Sequence, residues 1–254
     1  MSALRAPWAA WRLTRALLHA LAGWYTVVLV FPRLEQSARD ARVQAWARGM
    51  LRVLGVGLEV QGTPPSAGPL LLVSNHISWL DILVMHAARH CRFVAKADVR
   101  RWPLIGTLAT GGGTLYIERA SSRDALRVVH QMVRSLEAGE ILAVFPEGTT
   151  SDGHGLLPFH SNLIQAAVAS AAPVQPMALR FIDARTGRMA PGPSYVGDET
   201  LLGSVWRTLS GGRLTAVVRY GLPETADGRG RRAWAADLRE RVQALRDAAS
   251  APTG

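Results

Sequence analysis

The sequence predicts an α/β fold, a largely parallel or mixed sheet flanked by helices and preceded by an apolar helical pair. Past Gly55, short β-rich runs alternate with stretches of helical periodicity, the pattern of a sheet joined by crossover helices. Runs such as Leu70–Val73 are apolar throughout, and two of them end in loops dense in polar residues. In sheets of this kind ligands collect beyond the carboxyl ends of the strands.

The front of the chain reads differently. From Ala16 to Phe31 it is apolar except for His19 and Thr26, about 16 residues or ~24 Å of helix. That is short of the ~20 residues that span a bilayer. Arg5, Arg12 and Arg15 precede it as in a signal peptide, but it ends at Phe31-Pro32-Arg33 with no small-residue cleavage site. A second helix follows from about Leu34 to Leu54, with Trp46, Met50, Val53 and Leu54 on one apolar face. Trp8, Trp11, Trp24 and Tyr25 suit a headgroup interface. We expect residues 1–55 to form membrane-associating helices embedded in one leaflet, at the cytoplasmic face of the inner (plasma) membrane.

Residues 56–254 are expected to form the catalytic domain. Its predicted strands are Leu58–Val60, Leu70–Ser74, Arg92–Ala95, Thr114–Ile117, Ile141–Phe145, Val174–Phe181 and Leu214–Tyr220. Helices are predicted over Leu80–Ala88, Ser122–Ala138 and Phe159–Ala169. Val128, Val129, Met132, Val133 and Leu136 carry the 3.6-residue period of the second, and Gly139 stops it. A last helix, Arg231–Ala248, follows the polar stretch Thr225–Gly230.

Composition narrows the function. With 48% apolar residues in 254, the chain buries a core. Its formal charge of +10 attracts anionic partners. The basic residues are scattered and not interleaved with aromatics, so nucleic acid is not an expected partner. Cys91 is the only cysteine, which leaves no intramolecular disulfide. His86 and His90 have metal-like spacing beside Cys91, but no Glu follows the first as in metalloproteases. They are read as surface histidines, with no metal or cofactor expected.

Two strings carry chemistry. The first is Ser74-Asn75-His76-Ile77-Ser78-Trp79-Leu80-Asp81, where a strand gives way to a helix. Asp81 is close enough to accept from one imidazole nitrogen of His76, which fixes the tautomer and makes the other nitrogen a base. Ser78-x-x-Asp81 is also a helix capping box. The second string is Phe145-Pro146-Glu147-Gly148-Thr149-Thr150-Ser151, again after an apolar strand. There glycine permits close backbone approach to a ligand and Glu147 can accept from hydroxyls.

Together, Asn75-His76-x-Ser78-Trp79-x-Asp81 and Phe145-Pro146-Glu147-Gly148-Thr149 resemble the first and third blocks of the glycerolipid acyltransferase family. Lys96, Pro103, Gly106 and Tyr116-Ile117-Glu118-Arg119 resemble its second block, and Val174-Gln175-Pro176-Met177-Ala178 its fourth. The match runs in order over about residues 70 to 180. It implies the glycerol-3-phosphate acyltransferase-like fold, with His76 and Asp81 as the catalytic pair. Lys96, Arg119, Glu147, Gly148 and Thr149 would bind the acceptor, supported by Asn75 and Ser78. The implied reaction moves an acyl chain from acyl-CoA or acyl carrier protein to a lysolipid hydroxyl, converting 1-acyl-sn-glycerol-3-phosphate to phosphatidic acid.

Thr150 stands where the family's third block usually has arginine, and His160 where lysine is common. Loss of a bidentate phosphate ligand bears on the acceptor. The string Glu147-Gly148-Thr149-Thr150-Ser151-Asp152-Gly153, with Leu157-Pro158-Phe159 after it, is similar to the lyso-ornithine lipid acyltransferase branch. That acceptor is the alternative. A thioester hydrolase and a non-catalytic membrane-binding protein are the readings from other classes.

Overall fold

A computed structural model describes residues 5–117 and 122–248. Seven strands form one mixed sheet: β1 (Val56–Gln61), β2 (Leu70–Ser74), β3 (Arg92–Lys96), β4 (Leu115–Ile117), β5 (Ile141–Val144), β6 (Val174–Asp183) and β7 (Leu214–Tyr220). Their order is β1-β7-β6-β2-β5-β3-β4. Only β6 and β7 pair antiparallel, so β2, β3, β4, β5 and β6 end on the same edge of the sheet. Each predicted strand is present, most within a residue or two of its expected ends.

Among the described residues eight α-helices accompany the sheet: α1 (Arg5–Tyr25), α2 (Gln36–Leu54), α3 (Leu80–Ala88), α4 (Ile105–Gly111), α5 (Ser122–Glu137), α6 (Gln165–Ser170), α7 (Leu201–Ser210) and α8 (Arg231–Ala248). Strand alternation divides the core in two. Leu70 and Leu72 of β2 pack with Leu51 and Leu54 of α2 and Val84 and Met85 of α3. Leu71 and Val73 point the other way, to Val128, Met132 and Leu136 of α5, Ile164, and Trp234 and Leu238 of α8. The helical pair and the sheet therefore share a core through α2.

Three expectations change. The predicted helix Phe159–Ala169 shrinks to α6, because His160 N–H donates to the Pro146 carbonyl at 2.8 Å and residues 161–164 form turns ahead of the helix. Helices α4 and α7 escaped the sequence reading: glycine, serine and threonine within them blur the periodicity. Finally, His86 and His90 are buried, not surface residues; their rings stack at 5.1 Å and His90 Nε2 meets Asp40 Oδ1 at 3.2 Å.

The N-terminal run is also longer than its apolar stretch. Helical backbone begins at Arg5 and continues through a π-helical turn, Thr26–Val30, and a 3₁₀ turn, Phe31–Arg33. The helical run Ala6–Arg33 is 28 residues long, and its apolar 18-residue stretch has a mean hydropathy of 1.4, enough to cross a bilayer by length and composition. The length argument against a span thus falls. Helix α1 lies against α2, α4 and α7, while only 6% of its apolar stretch is buried. His19, the polar interruption in the run, joins it to α2: His19 Nε2 contacts the Trp46 carbonyl and Trp46 Nε1 donates to the His19 carbonyl, both at 3.0 Å. Gly23 permits the approach, because a Cβ there would fall 2.4 Å from Trp46 Nε1.

Burial holds the His86 imidazole down to about 3, and the charge of His90 acts in the same direction against Asp40. The unfolded chain binds that proton near 6.5 and the folded chain does not. Stability is therefore complete above about pH 6.5 and falls as pH drops toward 3, by up to ~1.4 kcal/mol per pH unit. His86→Leu is predicted to flatten this dependence in urea unfolding midpoints measured at neutral and mildly acidic pH. An unchanged slope in the variant would assign it to other groups.

Candidate active site

His76 leaves the end of β2 and Asp81 is the second residue of α3. Asp81 is fully buried, whereas the His76 ring keeps about 20% of its side chain exposed. His76 Nδ1 lies 2.8 Å from Asp81 Oδ2. The same oxygen accepts the backbone N–H of Ile77 at 2.7 Å and of Ser78 at 2.9 Å. A carboxylate can only accept, so Nδ1 carries the proton and Nε2 presents its lone pair. The Ser78 hydroxyl accepts the Leu80 N–H at 3.2 Å. The capping and catalytic readings of Ser78-x-x-Asp81 thus describe one arrangement: the carboxylate that starts the helix also orients the imidazole.

The second string docks on the first because β5 is the neighbour of β2, with Val73 level with Val144. Phe145 stacks on the His76 ring at 4.0 Å, tilted by 7°. Glu147 Oε1 accepts the His76 backbone N–H at 2.7 Å, and Oε2 accepts that of Leu157 at 2.8 Å. The His76 carbonyl accepts from Ser151 N–H at 2.8 Å and Ser151 Oγ at 3.2 Å. Both sides of the His76 backbone are therefore fixed by residues 147–151. Asn75 secures the other flank, its amide donating to the Leu179 carbonyl at 3.0 Å and accepting the Leu179 N–H at 2.8 Å.

Glu147 is 3% exposed, and each of its oxygens faces a backbone donor. Sequence reasoning gave it to substrate hydroxyls; the geometry makes it a clamp on the histidine loop. Burial raises its carboxyl above the usual range, and the two N–H groups oppose that rise. Gly148 takes a left-handed φ of +72°, where a Cβ would also crowd His160 Cδ2 at 3.1 Å. Thr149 is exposed beside it, and the Thr150 hydroxyl donates to the Tyr195 carbonyl. Lys96 ends β3, exposed on the same edge of the sheet. Arg119 lies outside the described residues.

The sequence reading missed three arginines. A cleft of about 700 Å³ between the Ala97–Arg101 3₁₀ turn, β4 and α5 is lined by Arg100, Arg101, Arg127 and Tyr116. His76 and Asp81 do not line it, so the cleft is distinct from that pair. Its one sequence signal is the Arg100-Arg101 pair just past Lys96.

Glu147→Gln is predicted to cost at least tenfold in activity and about 1–3 kcal/mol in stability, because the new NH₂ must face a buried backbone N–H. Turnover and urea midpoints of the variant check this. Unchanged values for both would remove the clamp.

A family model described as Acyltransferase matches residues 57–180. A 1-acyl-sn-glycerol-3-phosphate acyltransferase of Neisseria gonorrhoeae is 38% identical over 185 residues, which cover 72% of this chain and 71% of that protein. A lyso-ornithine lipid O-acyltransferase of Pseudomonas aeruginosa is 33% identical over 239 residues, 94% of this chain and 91% of the other. Among solved structures, the 1-acyl-sn-glycerophosphate (LPA) acyltransferase PlsC from Thermotoga maritima shares the fold, with a TM-score of 0.66 over 96% of this chain and 99% of that one at 19% identity. A strand-end histidine oriented by a buried carboxylate fits the transfer chemistry those names describe, and the chain belongs to the acyltransferase family that includes the 1-acyl-sn-glycerol-3-phosphate and lyso-ornithine lipid acyltransferases.

Proposed function

We propose that the protein acylates the free hydroxyl of a membrane lysolipid, with 1-acyl-sn-glycerol-3-phosphate as acceptor and acyl-CoA or acyl carrier protein as donor. The observation that carries the reading is the 2.8 Å contact from His76 Nδ1 to a buried carboxylate, with Nε2 left as an acceptor on a ring about 20% exposed. In the reaction Nε2 takes the acceptor's hydroxyl proton as its oxygen attacks the thioester carbonyl. Asp81 stabilises the imidazolium that forms. Nearby backbone N–H groups hold the oxyanion, each such donor being worth ~3 kcal/mol; Gly148 N–H is not one of them, since it donates to the Phe145 carbonyl at 3.1 Å. The carbon–sulfur bond then breaks, and the thiolate leaves with the proton returned from Nε2. No covalent acyl-enzyme is needed.

Phosphate as the headgroup is supported by positive charge at the same sheet edge, from Lys96 and the Arg100, Arg101 and Arg127 cleft. The Glu147 clamp leaves Gly148 and Thr149 as the part of that string that meets substrate. Lyso-ornithine lipid is the second reading. It is favoured by Thr150, whose hydroxyl is spent on the Tyr195 carbonyl where the family's arginine would reach phosphate. The exposed apolar side of α1, with its packing along α2, supports a monotopic seat at the cytoplasmic face of the inner membrane.

Purified protein given lysophosphatidic acid and lyso-ornithine lipid in parallel is predicted to acylate the phosphate lipid faster, and His76→Ala to lose ~10²–10⁴-fold. Transfer to the ornithine lipid alone would move the protein to the other branch. Full activity in His76→Ala would refute the enzyme reading.

A further inference from the structure

Helix α7 is turned against the usual pattern of a surface helix. Ser204 and Thr208, one turn apart, are buried at 0% and 7% exposure, while Leu202 and Trp206 are exposed at 75% and 41%. At roughly 100° per residue the two pairs lie on opposite sides of the helix. Leu209 is buried and Val205 packs on the core beside it, but the two hydroxyls face in and the bulky Leu202 and Trp206 face out. The inward hydroxyls are satisfied: Ser204 Oγ accepts from Trp79 Nε1 at 3.1 Å, and Thr208 Oγ1 donates to the Ser204 carbonyl at 2.8 Å. Water gives no reason for such an orientation, and a lipid phase does.

The surroundings agree. Helix α7 packs directly on α1, which exposes Leu17, Leu18, Leu21 and Trp24. Trp102 and Ile105, at the start of the α4 segment that also contacts α1, are exposed at 46% and 38%. Helix α1 is thus flanked by elements that each present a tryptophan, the residue that settles at headgroup depth. A net charge of +10 suits an anionic leaflet better than a second copy of the same chain.

We propose that the Leu202–Trp206 face of α7 is a second lipid-contacting surface, seated in the same leaflet as α1. Trp79 lies between His76 and Asp81 in sequence, so its bond to Ser204 fixes the catalytic loop relative to that surface. The inference rests on the membrane acyltransferase reading and adds where the catalytic loop sits with respect to the lipid.

Cys91 makes a direct test possible. It is the only cysteine and is 1% exposed, and burial pushes its thiol up, so an introduced cysteine labels alone. Leu202→Cys, and Leu222→Cys as a control at an 85% exposed site past β7, are each coupled to an environment-sensitive fluorophore. They are mixed with phosphatidylglycerol–phosphatidylethanolamine vesicles carrying a nitroxide lipid. The label at position 202 is expected to shift to the blue and be quenched, and that at 222 to do neither. A water-like label at 202 on vesicle-bound protein overturns the proposal, as does a shift at both positions. A shift without vesicles that dilutes away overturns it in favour of self-association. Acyl transfer measured in the same samples separates the two readings: a shift without transfer refutes the enzyme, and transfer without a shift refutes the docking surface.

Discussion

One oxygen of Asp81 gathers three donors, and the site is built around that constraint. A fully buried carboxylate must be paired, and here its partners are the imidazole of His76 and the first two N–H groups of the loop that follows. The loop must curl back on the helix that carries Asp81, which fixes where the ring goes. Everything else holds that curl in place. Asn75 ties its start to β6, Glu147 holds the His76 N–H, Ser151 holds the His76 carbonyl, and Tyr195 donates to the Ile77 carbonyl at 3.0 Å. The sheet makes this possible by setting β5 and β6 on either side of β2. The His76 loop thus rests on backbone contacts from distant segments, and its ring is left to meet Asp81 and Phe145.

The helical pair obeys a second constraint. A helix as apolar as α1 needs a partner or a lipid phase, and it has both a packed side and an open one. Its packed side uses glycine and a reciprocal His19–Trp46 contact to come close to α2. Because α2 is rooted in the core with α3, the open side of α1 is carried at a fixed place relative to the catalytic loop. An acceptor that lives in a bilayer demands such an arrangement, since the hydroxyl must reach His76 without leaving the lipid surface.

Much of this was legible in the sequence, for reasons that differ by residue. Strand β2 was readable because Leu70–Val73 is unbroken and apolar, and helix α3 because Ile82–Met85 is a second apolar run set off from it by a polar loop. The His76–Asp81 pair was readable because five residues across a strand–helix junction leave little freedom. Glu147 was read as a substrate contact because nothing in a linear string shows that Leu157 N–H and His76 N–H converge on it. The stacking of Phe145 on His76 and the bond from Trp79 to Ser204 depend on strand order and on a helix the periodicity hid. His86 and His90 looked like surface residues because the covering helix, with Asp40, lies far upstream in the chain.

The most direct test of the central claim is the protonation state of the His76 ring, read by ¹⁵N NMR of histidine-labelled protein with His76 assigned by substitution. Orientation by Asp81 predicts that the neutral ring carries its proton on Nδ1 and leaves Nε2 unprotonated. A ring with its proton on Nε2 would contradict the account, because the nitrogen that must accept the hydroxyl proton would already carry one.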